Sequence, residues 1–141
     1  MRYLLVVAIF IMFFSGCAIK QPTKTQSVMV SIITPNMKYS DLGFIKYYPN
    51  STGLEIYSFG KALLDLRIYE NRVCSSTFEC ISSDEFVRKY IHPSYPNTFF
   101  NNILHFDDLE NMGGIEYEYT KNGNLYYRDR INNILIRINK D

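Results

Sequence analysis

The chain of 141 residues contains no tryptophan, only two histidines and three cysteines, and no real excess of either charge. Each shortage removes a class of function. With 15 basic and 14 acidic residues, nothing drives binding to nucleic acid or to a strongly anionic surface, which needs a basic excess or a clustered patch. His92 and His105 both fall beside expected helix ends, where solvated positions are the simpler account. Ser75-Ser76 and Ser82-Ser83 have no organised base, and the adjacent acids Asp84-Glu85 and Asp107-Asp108 point apart, suiting a helix N-terminus and an inter-helix loop. The sequence therefore reads as a protein that is not an enzyme, with no cofactor and no metal. Its longest apolar run, Tyr3 to Phe14, is about 12 residues, short of the roughly 20 that a helix needs to cross a bilayer.

That run is nevertheless informative. Met1-Arg2 supplies a positive start, Tyr3 to Phe14 an apolar stretch, and Ser15-Gly16-Cys17 a small-residue exit, which together form a secretion signal over residues 1–16. Phe14-Ser15-Gly16-Cys17 resembles the lipobox of bacterial lipoproteins, with Phe14 in place of the usual Leu. The resemblance implies that Cys17 becomes the lipid-modified first residue of the mature chain, and the alternative is a plain signal or anchor with an incidental cysteine. Two or three acyl chains anchor stably, since each buried methylene contributes about 0.8 kcal/mol. Ala18, by resemblance to the lipoprotein sorting rule in which Asp at that place retains the protein in the inner membrane, implies the outer membrane, with the protein on its periplasmic face. Removing residues 1–16 takes away Arg2 alone among the charges and leaves 14 basic and 14 acidic residues in 125, enough for one domain.

Residues 18–27 read as a flexible tether, with one short strand-like stretch at Val28 to Ile33, so that 17–40 precedes a domain expected at 41–141. Phe44 to Tyr48, a turn over Pro49 to Gly53, and Leu54 to Tyr57 predict a hairpin. Ser58-Phe59-Gly60-Lys61 interrupts it, and Ala62 to Tyr69 alternates with Leu64, Leu66 and Ile68 on one face. Cys74 and Cys80, with five residues between them in an exported chain, read best as a disulfide closing a hairpin and contributing about 2 kcal/mol. A metal site would need His92 and His105 as further ligands. Ser82-Ser83-Asp84-Glu85 fits a capping box opening a helix to about Ile91, with Ile81 and Phe86 as its hydrophobic staple. Asn97 is a second expected N-cap, for a helix over 98–106. Ile115 to Thr120, Leu125 to Arg130 and Ile134 to Ile138 complete a three-stranded meander with Asn122-Gly123 as its turn. Twelve tyrosines and ten phenylalanines favour strands and can line an apolar site. The fold class expected is mainly β (α+β), a curved antiparallel sheet or incomplete β-barrel with two short helices over its concave face.

Three stretches give that pattern a family likeness: Leu54 through Leu66, the capped segment Ile81 to Ile91, and Tyr95 to Leu104, where a proline loop leads into a helix. In order from Gly43 to Ile138 they resemble the outer-membrane lipoprotein receptor LolB and, more distantly, the periplasmic carrier LolA. The resemblance implies an open half-barrel that accepts lipid or lipoprotein acyl chains from a LolA-like carrier and passes them to the membrane. Phe59 occupies the place of the receptor's protruding membrane-insertion residue. Alternation nominates Leu54, Ile56, Leu64, Leu66, Ile68, Ile115, Tyr117 and Ile136 as the acyl-binding wall, with Phe99 and Ile103 from the lid; the same residues suit a closed core. The chain departs from the family in lacking tryptophan, in its shorter C-terminal part and in the Cys74–Cys80 pair. The alternative function is a structural or assembly lipoprotein that grips a protein partner of an envelope or secretion complex.

Overall fold

The computed structural model describes residues 19–107, 116–120 and 123–140. Cys17 and Ile115 lie outside the described residues. Nine strands run β1 (Lys24–Ile33), β2 (Lys38–Tyr48), β3 (Ser51–Ser58), β4 (Lys61–Ile68), β5 (Arg72–Ser75), β6 (Ile81–Ser82), β7 (Glu116–Tyr119), β8 (Leu125–Asp129) and β9 (Ile134–Lys140). Helix α1 (Ser83–Phe86) continues into a π-helical turn, Val87–Ile91, and helix α2 (Phe99–His105) follows. The strands form one antiparallel sheet in the order β6-β5-β4-β3-β2-β1-β9-β8-β7, which does not close.

Period-two alternation decides which face is covered. Val28, Val30 and Ile32 of β1 point inward beside Ile45, Leu54, Ile56, Leu64, Leu66 and Ile68 on one side and Ile134, Ile136 and Ile138 on the other, all buried. The helices supply the second layer. Phe86, Val87 and Ile91, with Phe99, Phe100, Ile103 and Leu104, are buried in the same core cluster. Ser82 caps α1 as its sequence predicts, its side chain accepting from the Glu85 amide at 3.1 Å. Thr34 and Asn36, in the β1–β2 turn, donate to the carbonyls of Tyr90 and Lys89 at 2.6 and 2.8 Å and so satisfy groups that the helix end leaves open.

Three features differ from the sequence reading. The domain starts at Lys24 rather than Asp41, because β1 is not part of a tether: it pairs with β2 from Lys24↔Tyr47 to Ile33↔Lys38 and with β9 from Val28↔Lys140 to Ile33↔Leu135. Ladder pairing uses backbone groups, so the polar residues Lys24 to Ser27 join it without an apolar signal. The turn expected over Pro49 to Gly53 is only Pro49-Asn50, and Ser51 already pairs with Tyr48. Asn97 does not cap α2; Thr98 precedes the helix in a helical conformation with no side-chain cap, and the Phe99 amide bonds to the Pro96 carbonyl at 3.0 Å instead.

Gly43 sits where β2 passes between Val28 and Ile56. A Cβ there would fall inside contact distance of the Glu55 carbonyl oxygen, so two strand backbones would have to separate. Gly43→Ala should therefore destabilise the domain by about 1–3 kcal/mol, as overpacking does. The check is urea unfolding of this variant against Gly60→Ala, whose added methyl meets nothing within 4 Å and costs only backbone strain at φ +76°.

Candidate functional site

Helices laid across a sheet leave room where their ends meet its rim. Here a cleft of about 440 Å3 opens between α1, α2 and the ends of β2–β5, within the roughly 300–1,000 Å3 range of small-molecule sites. Its floor is apolar: Ile68 and Val73 from the sheet, Phe86 and Val87 from the first helical segment, and Phe100 from α2. Its rim is polar and mostly uncharged, with Asn50, Thr52, Asn97 and Asn101. Phe86 and Phe100 pack obliquely at 5.3 Å between centroids and are almost wholly buried, so the floor is the closed edge of the core.

Polar contacts fix the lid on the sheet around this cleft. Thr52 Oγ1 and His105 Nε2 lie 2.7 Å apart, and the Tyr47 hydroxyl donates to the Leu104 carbonyl at 2.9 Å. At the other end of α2, the loop residue Tyr95 donates its hydroxyl to Asp129 in β8, and Tyr127 donates to the Tyr95 oxygen at 2.8 Å. Asp129 also accepts from the amides of Ile131 and Asn132 at 2.9 and 3.0 Å and from Asn132 Nδ2 at 2.7 Å. All three latch residues are buried. Burial pushes the Asp129 carboxyl up, but its four hydrogen bonds outweigh that and hold it below the ordinary carboxylate value. Burial, and then the bond to Asp129, push the Tyr95 hydroxyl well above its ordinary value, and burial pushes Tyr127 up to about 12. The latch is thus a relay of two neutral phenols, Tyr127 donating to Tyr95 and Tyr95 to the Asp129 carboxylate.

At the far end of the β3–β4 hairpin, Phe59 and Gly60 form a two-residue turn with φ of 48° and 76°. Such a turn favours Asn-Gly. A non-glycine residue in left-handed geometry costs about 1–2 kcal/mol, and the Phe59 ring recovers none of that through burial, since it is 102% exposed.

The residues nominated as an acyl-binding wall are placed together, but not around an open space. Leu54, Ile56, Leu64, Leu66, Ile68, Phe99, Ile103 and Ile136 belong to one buried cluster, with Tyr117 packed half-buried against it. The helix phenylalanines fill the volume that such a wall would have enclosed, and Ile68 alone of these residues reaches the cleft. Phe59 is at a loop tip, as expected. Cys74 and Cys80 are joined in a disulfide, which removes both as ligands or nucleophiles. His92 and His105 are bonded to Ser94 and Thr52, and no three of His, Cys, Asp and Glu converge among the described residues. No helix among them is long and apolar enough to cross a membrane. Sequence reasoning missed the latch, although an acid in register with the inward residues Leu125 and Tyr127 was a readable signal.

No family model matches the chain, and neither a curated protein nor a solved structure matches it at a significant level.

Asp129→Asn should cost about 2–3 kcal/mol, because one charged acceptor serves four donors and an amide cannot replace it without turning an N–H toward another donor. The pH dependence has a definite sign. A carboxyl held below its unfolded value of about 3.9 contributes fully above that pH, and its contribution is lost as pH falls through the lower, folded value. Thermal melts between pH 7 and pH 2 should show native stability dropping more steeply than that of Asp129→Asn in the acid range.

Proposed function

We propose that the chain is a lipid-anchored LolB-like acceptor in the envelope, which receives acyl chains of lipids or lipoproteins from a LolA-like carrier and releases them into the outer membrane. The Phe59 tip carries this reading. A large apolar ring at full exposure, held in a backbone geometry that Phe disfavours, works against folding, and a membrane contact supplies the compensation. Exposed Lys61 flanks the tip on the next strand, with its ammonium suited to the headgroup layer.

The cleft beneath the lid is the place that best suits an acyl chain. The edge of the core forms its floor, and its mostly uncharged rim, with Glu70 as the one carboxylate among the described lining residues, leaves room for an ester or amide headgroup. An acyl chain moves from carrier to acceptor to bilayer down differences in affinity, so the function requires no covalent step and no cofactor. Cys17 as the lipidated residue keeps the acceptor at the receiving membrane, and the open sheet with a helical lid is the architecture the LolB likeness implies.

The decisive variant is Phe59→Asn. Asn-Gly suits this turn, so the domain should be as stable as the native one or more stable by about 1 kcal/mol. Cells carrying only this variant should nevertheless accumulate lipoproteins short of the outer membrane, as measured by membrane fractionation. Normal sorting with a stably expressed Phe59→Asn protein would overturn the reading in favour of a lipoprotein that grips a protein partner.

A further inference from the structure

We infer that the outer face of β1–β4, opposite the lid, lies flat on a lipid bilayer, so that the domain rests on its side rather than standing on its tether. An antiparallel sheet with one covered face normally presents polar residues on the other. The lower half of this face obeys that rule: Lys46 and Glu55 are paired at 2.6 Å, and Arg67 lies 3.4 Å above the Tyr48 ring. The upper half breaks it. Met29, Ile33, Leu42, Phe44 and Leu63 are each 36–49% exposed. Register places Met29 opposite Leu42, and the Phe44 ring meets the Tyr57 ring edge-on at 6.0 Å, while Ile33 lies apart, opposite Lys38 and beyond the Ser31–Ser40 hydroxyl pair. Leu63 sits at the bulge that begins opposite Ile56 and Tyr57. The carboxylates nearest the patch are engaged, Asp41 by Ser58 and the Leu42 amide, Glu55 by Lys46 and Tyr57, while Asp65 beside Glu55 marks the lower margin.

Chain length selects the occupant and the posture, and here the inference rests on the lipid-anchor reading of Cys17. Thr23 is bonded to the Tyr47 carbonyl through both its amide and its hydroxyl, which fixes the chain at the lower end of the sheet. Six residue steps then lead back to Cys17, a reach of about 20 Å at full stretch. From Tyr47 up to Asp41, which meets Ser58 beside the tip, is also six strand residues, about 20 Å. An upright domain therefore lifts Phe59 out of reach of the bilayer that holds Cys17, and an inverted one leaves the tether no slack. Lying along the bilayer satisfies both contacts, and the apolar upper half decides that the outer face points down.

Spin labels test this on the full-length lipidated protein in phosphatidylethanolamine and phosphatidylglycerol vesicles, with nitroxide placed singly on Leu42→Cys, Phe59→Cys and, on the lid side, Arg88→Cys. All three positions are exposed, so the substitutions leave the fold intact. Labels at 42 and 59 should become several-fold less accessible to an aqueous nickel complex and more accessible to oxygen, while the label at 88 stays in water. A label at 42 that remains wet while 59 is immersed would overturn the side-on posture and leave tip insertion standing. Shielding of 42 from oxygen as well as nickel would mark a protein occupant and equally overturn the inference. Protein that fails to float with the vesicles would refute the anchor, and the posture with it.

Discussion

Strand β1 must hold a partner on each edge, and the remainder of the structure depends on that requirement. The hairpins built from β2 to β6 grow in chain order from one edge of β1, whereas the C-terminal meander returns to the other edge through β9. Without β1 the inward rows of the two halves would be separate sheets, each too narrow to cover the helices. Val28, Val30 and Ile32 are fully buried and together contribute on the order of 6 kcal/mol. That is comparable with the roughly 5–15 kcal/mol net stability of an ordinary domain.

The helices use this platform and also restrain themselves on it. Thr34 and Asn36 hold the π-helical end, Tyr47 and Thr52 hold the end of α2, and the Tyr95–Asp129 latch ties the intervening loop to the C-terminal half of the sheet. A lid fastened at three places leaves its free volume at the rim, where α1 and α2 diverge over β3–β5. That is why the cleft lies beside the core rather than within it, and why its floor is shared between Phe86, Phe100 and the lower ends of the strands.

Much of the architecture was legible because alternation and capping are local. Leu64, Leu66 and Ile68 declare an inward face by spacing alone, and Ser82 with Glu85 declares a helix start by chemistry. The open antiparallel sheet with two short helices follows from such signals. β1 was harder to see because its first residues, polar Thr25 and Gln26 among them, are held by backbone pairing to β2, which needs no apolar signal in the sequence. The nominated wall residues lie in a closed core for a different reason. Period-two alternation says that Leu54 or Ile136 faces inward but not what fills the space in front of it, and that depends on where Phe99 and Phe100 land once the lid has docked. Asp129 illustrates the opposite case: its inward register was readable, and its partner Tyr95, 34 residues away, was not.

Two features of the molecule run against its own stability, the strained Phe59 tip and the partly open cleft under a fastened lid, and they lie at opposite ends of the β3–β4 hairpin. The proposed acceptor of hydrocarbon chains would use both, one to hold and one to deliver. The most direct measurement of that claim is photo-crosslinking of the purified protein with a fatty acid carrying a diazirine near the end of its chain, followed by peptide mapping. Crosslinks concentrated on the cleft lining, at Tyr48, Tyr69 and Asn101, are the predicted result. Labelling confined to exposed surface positions, or none above that of a short-chain control, would contradict it.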